Sequence, residues 1–529
     1  MWKYFALIRY LVPLALTNIA PDIAKQVLNR GITATDDVED TLASFGLAYG
    51  IVELMFGSLT EMRNVGLVLL VSRKDRIKGL LTGGVIAMVG FVLLLITGYT
   101  VVGTYLIEKL HQVDEHVSEM TKTALVYLSL IPLLEVLAQA HAGMLLQHRH
   151  SLLVGVSSLS DVITQFVMIV GLIMTPLKNE DPILIPVLAV YAGFTCRVVI
   201  NVIGYYCTVE KLMKEEAEET LTVKRILKFL WPLMLVRFVQ VVSRPIILLL
   251  VSRSMEDSAA SVRTIAVLAL TFPLARVFYG WLNNLKAVLP PFSKETKEHR
   301  AYSVREITYF SMGCCVFAAM FAFPLAWVPG SAQAMVATLM GVNLTLAGEC
   351  VIPIQIFTFM GICVTFRAHL TGWLLSKKKT KLLAPSGVVR LVAIIAALFI
   401  LPLLGVKEAP MGVAALLIGF ITEALMVIIG ATYVLKTQTY DSVQLASEQQ
   451  LQLPELYNPR LSGMAVESME SIYIGKGFIS PAQDHHQGPS HTDVPNTQEL
   501  SHTDENHQNG IGVEKPDSNE HTELSVLNA

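Results

Sequence analysis

Charged side chains recur inside the long apolar runs of this chain, and any chemistry should be sought there. Asp22, Lys25, Glu53, Glu135, Asp161, Arg197, Arg237, Arg244, Arg276, Arg367, Arg390 and Glu423 all fall within or near such runs. An Arg, Lys or Asp at the centre of a membrane span costs roughly 2.5–3.5 kcal/mol on insertion scales. Side chains retained at that cost pair with one another or face water. The second half is rich in arginine, whose guanidinium stays charged at any relevant pH and offers a planar fork to phosphate or carboxylate oxygens. A cavity lined in this way suits a small anionic substrate, a polyanion above all, better than a cation or a lipid tail. Arg244, between Ser243 and Pro245, and Arg367, two residues before His369, lead the candidate binding residues. His369, Arg276, Arg30, Lys25 and Lys286 complete that set. His141 and His369 also fit a simpler role as hydrogen-bonded interface residues, and Arg63 and Lys286 one as chains that snorkel to the membrane surface.

Other chemistries find no support. There is no G-x-x-x-x-G-K-[ST], so nothing marks an ATP-hydrolysing pump. The run DDVED (36–40) spells a magnesium-diphosphate motif, but it occurs once and reads as an ordinary acidic loop. No nucleophile–base pair stands out, and the six cysteines lack zinc-type spacing and read as free, buried thiols. His485 and His486 sit in a polar stretch and read as solvated. The expectation is a non-enzyme with no metal, no cofactor and no nucleic-acid partner.

The elements that must position these charges are membrane helices. Of the 529 residues, 53% are hydrophobic and only 16% charged, far from a soluble profile. Twelve spans can be drawn, at about 8–30, 41–71, 79–103, 122–146, 151–175, 183–208, 225–252, 260–288, 306–328, 349–375, 382–405 and 410–436. Basic loops at 72–78, 147–150, 209–228, 294–300 and 377–381 alternate with acidic ones at 33–40, 108–116, 178–182, 255–257 and 406–410. The positive-inside rule puts the basic set and both termini in the cytoplasm. The sequon at Asn343 then faces outside.

The chain also repeats itself. Residues 264–288 echo 41–65 at an offset of 223, so that Gly57 meets Gly280, Leu59 meets Leu282 and Arg63 meets Lys286. At an offset of about 229, AHAGMLL (140–146) is echoed by AHLTGWLL (368–375), and GFTCRVVINVIG (193–204) returns as GFITEALMVIIG (419–430). The reading is an all-α polytopic membrane protein. A first six-helix bundle at 1–208 and a linker at 209–224 precede a second bundle at 225–436 and a disordered cytoplasmic tail at 437–529. An even number of spans in each half makes the halves parallel, related by a pseudo-twofold axis along the membrane normal with a cavity between them. Repeat-related positions carry opposite charges: Glu53 against Arg276, Asp161 against Arg390, Arg197 against Glu423. Two arrangements stay open, pairing across the axis or bridging within each half, with Asp22, Glu135 and His141 as further partners or gating groups.

Several segments, in order, resemble the progressive ankylosis protein family. They include LVPLALTNIAPDIAKQVLNRGI (11–32), NVGLVLLVSRKDR (64–76), AHAGMLLQHRHSLLVG (140–155), VVSRPIILLLVSR (241–253), FYGWLNNLKAV (278–288) and RAHLTGWLLSKKKTKLLAPS (367–386). The resemblance spans about 8–436. It implies a two-bundle layout similar to the multidrug-and-toxin-extrusion type, residence in the plasma membrane, and export of pyrophosphate, ATP and citrate. A lipid flippase of similar architecture and a non-transporting regulator of anion release are the rival readings.

Overall fold

The computed structural model describes residues 4–32, 38–109, 114–215, 221–255, 258–293, 301–340 and 342–451. The acidic run at 33–37, the basic run at 294–300, residues 216–220 and everything past 451, His485 and His486 included, lie outside the described residues. So do the side chains of Asp22, Lys25 and Arg30.

The first helix, α1, is Phe5–Ile32, with Pro13 and Pro21 inside it. Eleven further helices among the described residues are long and apolar enough to cross a membrane. They are α2 (Asp40–Val68), α3 (Arg73–Tyr99), α4 (Glu115–Gln147), α5 (Ser151–Ile173), α6 (Leu184–Leu212), α7 (Val223–Arg253), α8 (Arg263–Phe292), α9 (Val304–Trp327), α10 (Leu344–Ser376), α11 (Thr380–Leu404) and α12 (Glu408–Thr437). Each expected span therefore has its helix. Helices α1–α6 form one bundle and α7–α12 the other; α1 packs on α5, α5 on α6, α7 on α11 and α8 on α10. The inside of a bundle selects small residues. On α3 the packed face is Gly79, Gly83, Ala87 and Gly90, while Leu81, Val85, Met88 and Val92 point outward as a lipid-facing stripe. Small residues let helices approach closely where lipid supplies no hydrophobic drive to associate.

The duplication is written in the backbone. The paired glycines Gly57 and Gly280 each open a 3₁₀ stretch in a long helix, Gly57–Glu61 in α2 and Gly280–Ala287 in α8. Such an interruption marks a hinge or a functional site. The basic turns match as well. Arg149 and Lys378, non-glycine residues at φ 65° and 56°, occupy the same place in them. The hydrogen bonds His148 N to Met144 O, Arg149 N to Leu146 O and His150 N to Leu145 O return as Lys377 N to Trp373 O, Lys378 N to Leu375 O and Lys379 N to Leu374 O. Gly143 lies against the Arg63 carbonyl, where a Cβ would collide, and Gly372 lies against that of Lys286, 2.8 Å from a Cβ position. Arg63 and Lys286 are thus anchored at equivalent helix crossings, one in each half.

Three details differ from expectation. The last helix continues from Glu408 to Leu451, so the backbone is helical well past 437, where a disordered tail was expected to start. Composition hid this because the extension, TQTYDSVQLASEQQL, carries no continuous apolar run, its few apolar residues being scattered among polar ones. A short helix, Ser331–Met340, precedes α10, and Asn343 caps α10 by accepting from Leu346 N at 2.8 Å. All six cysteines are free, but only Cys350 is buried, and Cys207 is exposed.

Candidate functional site

Each bundle contains a buried ion network. In the first, Arg197 of α6 hydrogen-bonds Glu135 of α4 and lies 3.5 Å from Asp161 of α5. Gln139 donates to Glu135 at 2.9 Å and Gln165 to Asp161 at 2.8 Å. In the second, Glu423 of α12 accepts from Arg367 of α10 at 3.0 Å through both oxygens and from Arg390 of α11 at 2.6 Å. Gln240 of α7 adds a bond at 2.9 Å, and Arg367 also donates to Asn283. Glu423 has no exposed surface, Arg390 keeps 3% and Arg367 8%. The repeat explains the shared geometry. Phe194 and Phe420 are equivalent, and Arg197 lies 4.4 Å over the first ring and Arg390 4.3 Å over the second.

These contacts close within each half, so Arg197 and Asp161 do not pair with Glu423 and Arg390 across the axis. They also correct the sequence reading of Arg367. Its guanidinium is consumed by Glu423 and Asn283 and is not presented to a ligand. His369 is likewise engaged, hydrogen-bonded to Thr308 at 3.0 Å and Ser311 at 3.1 Å on α9. His141 donates from Nδ1 to the Leu137 carbonyl at 2.8 Å, which leaves Nε2 to accept from Arg76 at 3.4 Å. Both histidines are hydrogen-bonded interface residues.

A different set of charges lines the seam between the halves. Lys286, on the broken stretch of α8, reaches across to both oxygens of Glu61 on the broken stretch of α2, at 3.0 and 3.4 Å. It does not snorkel to the surface: the crossing at Gly372 fixes its backbone, and Glu61 is 7% exposed. Asn64 donates to the same carboxylate. Arg63 and Arg237 lie within electrostatic range of Glu61, and Arg276, Glu53 and Arg244 within range of Arg237. Arg237 and Arg244 are seven residues apart on α7 and share a face, ~10.5 Å apart at 1.5 Å rise per residue. Val241, between them, packs near Gly57 of α2. Neither guanidinium makes a hydrogen bond or a close ion pair among the described residues, Glu61 and Glu53 acting on Arg237 only from longer range. The Nε of Arg237 is buried without an acceptor, and Arg244 lies 5.6 Å over Phe272.

The hydrogen bonds joining the halves cluster at the end that carries the basic loops. Tyr10 of α1 can donate to Leu146 O at 3.2 Å or Ala287 O at 3.1 Å, and Asn18 donates to Gly280 O at 3.1 Å. Asn284 donates back to Leu14 O. Arg149 caps the end of α8 through Pro291 O, at 3.0 and 3.3 Å, and stacks 4.3 Å over Phe292.

Of the candidates named from sequence, Arg244, Arg276, Lys286 and Glu53 therefore lie at or near this seam, while Arg197, Glu135, Asp161, Arg367, Arg390 and Glu423 form the two internal networks. Glu61, Asn64, Asn284 and the position of Arg237 were missed. The repeat could have signalled them, because Glu61 and Asn284 occupy equivalent positions two residues before Arg63 and Lys286.

The family profile for the progressive ankylosis protein (ANKH) matches residues 1–328. Among solved structures, the eukaryotic MATE transporter AtDTX14 is similar at 15% identity and a TM-score of 0.59, over 80% of this chain and 94% of that one. A MOP superfamily transporter from Pyrococcus furiosus is similar at 12% identity and a TM-score of 0.59, over 81% of this chain and 94% of that one. A MATE protein in the bent conformation is similar at 12% identity and a TM-score of 0.63, over 83% of this chain and 96% of that one. At such identities the likeness is one of fold.

Proposed function

The chain belongs to the progressive ankylosis protein family and is an integral membrane protein with a MATE-type transporter fold, and from that premise we propose that it exports small polyanions from the cytosol to the extracellular space. The substrates in this reading are ATP and other nucleoside triphosphates, pyrophosphate, and citrate with related carboxylates. Export of the first two would raise extracellular pyrophosphate and restrain mineral deposition. One observation carries the reading: Arg237 and Arg244 form no ion pair or hydrogen bond among the described residues, Glu61 and Glu53 acting on Arg237 only from longer range, whereas the arginines of the internal networks are directly paired with carboxylates. A guanidinium with no directly bound countercharge in a low-dielectric setting is costly, and a ligand can supply that charge. The Pyrococcus furiosus transporter is described as having a binding pocket of reversed polarity, which supports pockets of differing charge on this architecture.

The charge bias of the loops favours a cytoplasmic basic end, so closure at that end corresponds to a state facing outward. Each negative charge leaving a negative-inside cell gains ~2.3 kcal/mol per 100 mV. A facilitator therefore suffices, without sodium or proton coupling. Purified protein in liposomes loaded with labelled ATP, pyrophosphate or citrate should release at least one of these faster than empty liposomes do. No release of any of them, with a labelled phospholipid crossing instead, would replace this reading with lipid translocation.

A further inference from the structure

We infer that the Glu61 carboxylate is an internal stand-in for the transported anion, holding a phosphate- or carboxylate-binding site on Lys286 and Arg237 while the basic end is closed and yielding it to a polyanion when the halves part. This rests on the polyanion reading above and assigns the first binding step to particular atoms.

The argument follows which groups travel together. Glu61, Arg63 and Asn64 belong to α2 and move with the first bundle. Lys286 and Arg237 belong to α8 and α7 and stay with the second, Lys286 being pinned by its carbonyl against Gly372. Opening the basic end withdraws the carboxylate from Lys286, now 3.0 Å away. Within the second half the buried acid Glu423 is already bound by Arg367, Arg390 and Gln240 and cannot replace it. Lys286 and Arg237 are then left as neighbouring cations, and Arg237 Nε lacks an acceptor even in the closed form. Two stranded cations in a poorly solvated seam are costly. Opening is therefore favoured when a polyanion from the basic side supplies the missing charge, which couples opening to loading. On closure Glu61 returns to Lys286 and displaces the anion along α7 towards Arg244, two turns further from the basic end. The contact is asymmetric in a way that fits one-directional use. The pseudo-twofold mate of the Glu61–Lys286 pair would be Asn284 with Arg63, and there the acid is absent; Asn284 instead bonds Leu14 O.

Labelling of a cysteine at position 58 tests this, because Ser58 is 5% exposed beside Glu61 in the closed form. The full chain carrying Ser58→Cys and Cys207→Ser is reconstituted and treated with an impermeant thiol reagent from the basic side. Pyrophosphate on that side should raise the labelling rate about tenfold, with chloride at equal ionic strength as control. Glu61→Gln should label at the fast rate without pyrophosphate. The exchange Glu61→Lys with Lys286→Glu should label slowly again, yet neither respond to pyrophosphate nor release it from liposomes, because the second half then presents an acid. If the Gln variant fails gel filtration, Glu61→Asp, with its carboxylate drawn back by one methylene, should label at an intermediate rate. Slow labelling in the Gln or Asp variant, no response of the parent to pyrophosphate, or normal release by the exchanged pair would each overturn the inference. Release by the parent separates the two ideas: if it persists while labelling fails, the exporter reading stands and the stand-in role of Glu61 falls.

Discussion

In the first bundle one guanidinium, Arg197, sits between the carboxylates of Glu135 and Asp161; in the second one carboxylate, Glu423, sits between the guanidinium groups of Arg367 and Arg390. The supporting parts are the same. Phe194 and Phe420 carry an arginine over the ring; the equivalent Gly193 and Gly419 leave room for Asp161 in the first half and for Ile394, with Arg390 beside it, in the second. Two positions of a three-charge junction, Arg197/Glu423 and Asp161/Arg390, are equivalent and reversed in sign, while the third charge moves by one helical turn, Arg367 matching Gln139 rather than Glu135. The lesson is that a buried charge in this protein is not evidence of a ligand site until its partners are known. In both junctions every charge is directly paired with an opposite one, and the arginines without a direct ion pair, Arg237 and Arg244, lie at the seam.

The reversal predicts unequal consequences when the central ion is removed. Glu423→Gln strands Arg367 and Arg390 beside each other, and the loss should approach the ~3–5 kcal/mol typical of breaking a buried pair. Arg197→Gln strands two carboxylates, which can escape by taking up a proton, whereas guanidinium groups cannot. Thermal unfolding of the purified variants should show the larger drop for Glu423→Gln, and only Arg197→Gln should recover as the pH is lowered. Equal losses without pH dependence would mean that the junctions do not differ as described.

A smaller effect separates junction from seam. Arg367→Gln should reduce the amount of folded protein at the surface, with efflux per surviving molecule changed less than twofold, because its role is to hold Glu423. Arg244→Lys should do the reverse, leaving the amount intact and lowering efflux about threefold, since an ammonium keeps the charge but loses the planar fork. Surface biotinylation and efflux on the same cells distinguish the two. The smallest effect is expected at the basic turn. Arg149→Gly relieves a left-handed residue worth roughly 1–2 kcal/mol but removes the cap on Pro291 O, worth roughly 1.5–3 kcal/mol. The net change in stability should stay within about 2 kcal/mol, and a shift well beyond that in the melting temperature would show that one of the two terms has been misjudged.

Sequence carried most of the architecture because each feature is local. Apolar runs and alternating loop charges delimit all twelve helices, and the glycine shared by positions 57 and 280 marked equivalent positions at which both helices turn out to be broken. Partners were less legible. The repeat identifies equivalent positions, and equivalence under a twofold axis does not imply contact, so Arg197 and Glu423 were matched although each finds its partners in its own bundle. Arg367 was misjudged for the same reason: nothing local connects it to a carboxylate 56 residues away. Lys286 resembled a snorkelling residue because its partner, Glu61, lies 225 positions back in the other half. The polar helix beyond 437 lacked the apolar signature by which its neighbours were found.

The central claim, that the unpaired arginines of α7 bind a transported polyanion, is tested most directly by the double substitution Arg237→Gln with Arg244→Gln. Pyrophosphate efflux from proteoliposomes, driven by a potential negative inside, is normalised to the amount of inserted protein. At least about a tenfold loss, with the melting temperature within a few degrees of the parent, is the predicted result. Undiminished efflux per molecule would contradict the account and put the binding site elsewhere.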